Sequence, residues 1–126
     1  MPITRVVFFR EKDGGVPFVE WFGRLPAHAK DQCLARLTLL RELGHGLRRP
    51  AAENLGGGIY ELRTKSRNVN YRMLYFFHGQ EAVVMSHGID KQQKKVPPKE
   101  IVLAKARMAM FRTDPKEHTF VELSNG

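Results

Sequence analysis

Cysteine is nearly absent: Cys33 is the only one in 126 residues. No disulfide can close within the chain. The five histidines, His28, His45, His78, His87 and His118, show no ligand spacing with that single thiol, so a structural zinc is not expected. Acidic residues are scarce as well. Thirteen Asp and Glu stand against twenty-one Lys and Arg, giving a formal charge of +8 and a pI near 10.0. That balance favours a polyanionic partner, with nucleic acid first, an acidic protein second and an anionic membrane surface third. Long apolar runs are missing too: the longest aromatic-rich one, MLYFF, is far below the ~20 residues of a membrane span. The N-terminal MPITRVVFFREK interrupts its apolar run with Arg10, Glu11 and Lys12, which is no signal-peptide pattern, and a cytoplasmic location is expected by default.

What is present is an ordinary globular composition, 42% hydrophobic and 27% charged, in a length that buries one core. Ile3 to Phe9 reads as a strand, rich in β-branched and aromatic residues and ended by Asp13-Gly14-Gly15. Pro17 opens a short helix with Phe18, Trp21, Phe22 and Leu25 on one face, closed by Pro26. A longer helix runs from Ala27 to Leu43, with Cys33, Leu34, Leu37 and Leu40 inward and Gly44 as its stop. His45 to Gly58 has no clean period and reads as a loop feeding a strand. The period then switches to two. Ile59–Arg63, Asn70–Phe77 and Glu81–Ile89 are three strands whose short connections demand an antiparallel meander. Pro97 and Pro98 precede a helix ending near Arg112, so residues 1–112 form one domain and 113–126 a tail in which Phe120, Val121 and Leu123 can dock or add a strand. The class is α+β, in the order β-α-α-β-β-β-α, with a small antiparallel sheet and helices packed on one side.

Two arginines lie inside the strand pattern. Tyr60 and Leu62 share one face of their strand and Glu61 and Arg63 the other, while Arg72 is opposite in parity to Tyr71, Met73 and Tyr75. If the helices cover the tyrosine face, the other face carries Arg63 and Arg72, flanked by Lys65 and Arg67 in the turn and by Lys91, Lys94 and Lys95 after the last strand. The plain alternative is a solvated face of cross-strand ion pairs, in which a structural Arg72 would pair with a carboxylate such as Glu61. The glycines of LGGGIYELR lack the Lys-Ser/Thr ending of a phosphate-binding loop and read as a tight entry turn. Cys33, Trp21 and Phe22 read as core.

The blocks LGGGIYELR, NYRMLYFF and HGIDKQQKKVPPKEIVLAKARMAMF, with a weaker VPFVEWFGRLP, together resemble the phage-derived branch of HigB-like toxins in the RelE/ParE superfamily, over about Val6 to Phe111. The resemblance implies a small antiparallel sheet with a basic active face and the toxin role of a type II toxin–antitoxin pair. It also implies a ribosome-dependent mRNA endoribonuclease that needs no metal or cofactor, masked by an antitoxin, often a helix-turn-helix protein. Arg72 matches the arginine of the strand motif "YR" and is the first choice for stabilising the transition state. Arg63 would position phosphate; Lys91 follows the last strand where relatives carry basic groups; Lys65, Arg67, Lys94 and Lys95 would bind RNA. Glu61 and Gln92 stand where RelE has basic residues, which leaves the proton-transfer group open among Glu61, His87 and Lys91. His87 has the parity of Val83 and Met85 and so reads as a hydrogen-bonded core residue. Two other functions fit the same resemblance: a ParE-like inhibitor of DNA gyrase, and a binding module without catalysis.

Overall fold

The computed structural model describes residues 3–90 and 95–121. Its elements are β1 (Arg5–Phe9), α1 (Pro17–Gly23), α2 (Ala27–Leu43), β2 (Ala52–Gly56), β3 (Ile59–Ser66), β4 (Val69–His78), β5 (Ala82–Ile89), α3 (Pro98–Thr113) and β6 (Thr119–Phe120). The six strands form one sheet in the order β2-β3-β4-β5-β1-β6. The expected meander is β3-β4-β5, antiparallel throughout, and β1 joins its far side parallel to β5. Among the described residues no helix is long and apolar enough to cross a membrane.

The α+β class and the order of the expected elements hold, with two additions. The first is β2, inside the segment read as a loop. Its side chains alternate too weakly to mark a strand, yet Ala52, Glu53 and Asn54 pair with Leu62, Glu61 and Tyr60. Pairing by backbone alone leaves no hydrophobic signature. The turn that follows, Gly57-Gly58, has φ of 64° and 89°, the left-handed region that glycine enters without steric cost and that the entry turn was expected to use. The second addition is β6, through which Phe120 and Thr119 of the tail pair with Phe8 and Phe9.

Helices lie on both faces of the sheet. α1 and α2 pack Phe18, Trp21, Phe22, Cys33, Leu37 and Leu40 against the face that carries Leu62, Tyr71, Met73, Tyr75 and Met85, as the tyrosine parity implied. Trp21 lies so close on β5 that a Cβ at Gly88 would meet its ring carbons at 2.2 Å, so only glycine fits there. α3 is not on this side. Its Ala104 and Phe111 join Val7, Phe9, Ile59, Leu74, Phe76 and Val84 in a second core on the opposite face. That face is therefore partly roofed, and the arginine end of it is what remains next to the opening.

Candidate functional site

The site grows from the register of one hairpin. β3 and β4 set Arg63 directly across from Arg72, two like charges side by side, an arrangement that is unfavourable unless a carboxylate intervenes. Glu61, two residues along on the same face, is that carboxylate. Arg72 Nη1 donates to Glu61 Oε1 at 3.0 Å and lies 3.4 Å from Oε2, while Arg63 Nε lies 3.7 Å from the same Oε1 and donates to the carbonyl of Pro50 at 3.2 Å. From the neighbouring strand Glu53 bridges Arg49 and, at 3.9 Å, Arg63. Charges thus alternate along one line, from Arg49 through Glu53, Arg63 and Glu61 to Arg72.

Burial differs sharply along that line. Glu61 is 1% exposed and Arg72 6%, whereas about a third of the Arg63 side chain meets solvent. Loss of water pushes the Glu61 carboxyl above the usual carboxylate range, and the guanidiniums of Arg72 and Arg63 pull against that shift without cancelling it. Above the pair opens a cleft of about 220 Å³, lined by Glu53, Leu55, Glu61, Arg72, Lys95, Val96 and Ile101. Leu55, Val96 and Ile101 give it apolar wall, Glu53 and Lys95 add one charge of each sign, and its floor is an ion pair. Lys95, Lys65 and Arg67 are exposed around this end of the molecule, the last at the hairpin tip.

The structure therefore brings Glu61, Arg72, Arg63 and Lys95 together. Lys91 and Lys94, like Gln92, lie outside the described residues. The floor is not the bare positive surface drawn from strand parity: Arg72 is paired with Glu61, the partner that a structural arginine was expected to take. His87 sits elsewhere, and on the opposite face from the one its parity suggested. A bulge at Ser86 makes Leu74 pair with His87 but Tyr75 with Met85, so the alternation slips by one residue and His87 turns towards α3. There its Nε2 donates to Glu100 at 3.0 Å and its Nδ1 accepts from Ser86 Oγ at 2.8 Å. Burial holds the imidazole below its ordinary pKa; the hydrogen bond to Glu100 opposes this and the charge of Arg107 adds to it.

Sequence reasoning missed the rest of this second cluster. Arg107 is buried under α3, bonded at 2.9 Å to Glu11 and stacked 5.6 Å over the Phe9 ring. The only available signal was its spacing from Ala104 and Phe111, which puts it on their face of the helix. Among the described residues no group of three or more His, Cys, Asp or Glu could hold a metal ion.

Residues 20–109, which include the hairpin, β5 and most of α3, match the family described as phage-derived protein Gp49-like (DUF891). The chain belongs to this family. Among curated proteins it is similar to "Probable endoribonuclease HigB1" of Mycobacterium tuberculosis strain CDC 1551 / Oshkosh, 33% identical over 108 residues that cover 83% of this chain and 82% of that protein. The protein of the same name from strain ATCC 25618 / H37Rv matches with the same values. The Gp49-like chain thus carries the HigB-like toxin resemblance across the whole segment that builds the cleft.

Proposed function

We propose that this Gp49-like protein is the toxin of a type II toxin–antitoxin pair and cuts mRNA on the ribosome, with the cleft over Glu61 and Arg72 as its reaction site. The observation that carries the reading is the buried carboxylate–guanidinium pair at the floor of a cleft with Lys95 on its wall, in a chain one third identical to proteins named as probable endoribonucleases. In the reaction a ribose 2′-oxygen bonds to the adjacent phosphorus, and the bond from phosphorus to the 5′-oxygen breaks. Glu61, whose raised pKa suits a proton acceptor, takes the 2′-hydroxyl proton; the departing 5′-oxygen is protonated from solvent, leaving a 2′,3′-cyclic phosphate. Once Glu61 is neutral its hold on Arg72 weakens, and the guanidinium turns its charge to the phosphorane oxygens, where one preorganised donor contributes ~3 kcal/mol. Arg63 and Lys95 hold the flanking phosphates.

One observation favours a second reading, a binding module without catalysis: Glu61 and Arg72 form a buried ion pair, the kind of contact that serves a fold alone. Replacing both members separates the two. Arg72→Met with Glu61→Leu removes the buried charges together and is expected to leave a folded, ribosome-binding protein. Its single-turnover cleavage of mRNA on programmed ribosomes should fall on the order of 10²-fold or more. Undiminished cleavage by a folded double variant would move the chemistry away from this pair. A wild-type protein that leaves mRNA intact, or that blocks gyrase supercoiling instead, overturns the nuclease itself.

A further inference from the structure

We propose that the outer face of α3 is a docking surface for an amphipathic helix with acidic flanks. α3 is apolar on two sides. Ala104 and Phe111 face the sheet, but Val102 is 65% exposed and Leu103 and Met110 are 38% exposed each, three of the six large hydrophobic side chains left exposed among the described residues. They are not scattered. Leu103, Ala106 and Met110 follow at i, i+3 and i+7, and Val102, Ala106 and Ala109 at i, i+4 and i+7, so the five make one stripe opposite the buried face. The two alanines in the middle leave a shallow trough between larger ends, where the ridge of another helix can lie.

Charge selects the occupant. Lys99 closes the N-terminal end of the stripe, and Lys105 and Arg112 border one flank, all exposed. The one carboxylate of α3, Glu100, is turned inward to His87; Glu11, Asp114 and Glu117 border the C-terminal end of the stripe beside Ala109 and Met110, where Lys12 joins them and Glu11 is bonded to Arg107. A second copy is the poorer fit. Antiparallel pairing of two α3 stripes about Ala106 would set Lys105 beside its own counterpart and Lys99 beside Arg112 of the other copy, between molecules that each carry +8. A helix with leucine-like anchors and Asp or Glu along its flanks meets the same apolar trough with opposite charge at its border. The surface is independent of the nuclease reading, since the cleft is lined by Ile101 on the inner side of the same helix.

The probe is a pair of labelled synthetic helices of about five turns, identical in their leucine stripe, with glutamate flanks in one and lysine flanks in the other. Fluorescence anisotropy should show the glutamate helix binding at least about tenfold more tightly. Val102→Ser with Met110→Ser should weaken it about tenfold, and Lys99→Glu with Arg112→Glu should reverse the preference between the two helices. A charge-matched control on the other side of the molecule, Arg24→Glu with Arg41→Glu, should leave its affinity within about twofold. Equal weakening by that control, or none from the serine pair, would show attraction to net charge only and overturn the proposal. So would a free protein that sediments as a dimer and is split by the serine pair, because the face would then belong to a second copy.

Discussion

At the scale of single residues the Glu61–Arg72 pair dominates the energetics. Both side chains are almost fully buried, so removing Arg72 leaves Glu61 away from water with the more distant Arg63, 3.7 Å away, as its counter-charge. Arg72→Ala is expected to cost about 3–5 kcal/mol in denaturant unfolding, while the double change to Leu and Met should be near neutral or stabilising. A double-mutant cycle that gives additive losses would contradict the pairing. The raised Glu61 pKa adds a sign. The folded protein binds more protons than the unfolded chain from about pH 4.5 up to the raised value, so this group's contribution is complete below that window and declines as pH rises through it. Glu61→Gln should therefore compare more favourably with wild type at neutral pH than at pH 4, as read from thermal midpoints. Cys33, pushed up to about 12 by burial and by Asp90, should resist alkylation at pH 8 until the protein unfolds. The residue types at these positions were legible in the sequence, and parity put Glu61, Arg63 and Arg72 on one face. The position of His87 was not, because a bulge at a serine leaves no mark in a run of β-forming residues.

Among the elements, the β3–β4 hairpin and α3 carry the site, and each has a local test. The hairpin closes on Arg67 and Asn68 with φ of 48° and 68°, which suits Asn and strains Arg. Arg67→Asn should raise stability by about 0.5 kcal/mol, and a loss of stability would mean that the arginine side chain holds the turn by contacts of its own. α3 is fixed near its start by the bond from His87 to Glu100. Because burial lowers the His87 pKa, the unfolded chain binds the extra proton first as pH falls below about 6.5, and stability declines from there towards the folded value. His87→Gln should flatten the thermal midpoint between pH 6.5 and 5; a profile unchanged by the substitution would remove His87 as the cause. The three-strand meander and both early helices were legible because their periods are clean. β2 was hidden because its partners are backbone groups; in α3 the stripe Ile101, Ala104, Met108 and Phe111 marked the side of the helix that is buried, but a stripe on a helix does not say which face of the sheet it covers.

For the molecule as a whole, charge and connection matter more than any one contact. If the exposed cations around the cleft contact RNA phosphates, affinity should fall with salt by a log–log slope of about 0.7 per contact. Removing Lys65 and Lys95 together should make the slope shallower by about 1.4 without moving the thermal midpoint, and an unchanged slope would place the RNA elsewhere. The sheet order has a different consequence. β1 is the first strand synthesised, yet its neighbours in the sheet, at residues 82–85 and 119–120, are among the last. At a synthesis rate of ~5–20 residues per second, the strand waits roughly 4–15 s for β5 to be made. During that wait the nascent chain has α1 and α2 but an unfinished sheet for them to cover. A chain stopped at His78 should remain as sensitive to protease as an unfolded one. The nascent chain thus carries β1 as a bare edge until β5 has been made to lie beside it.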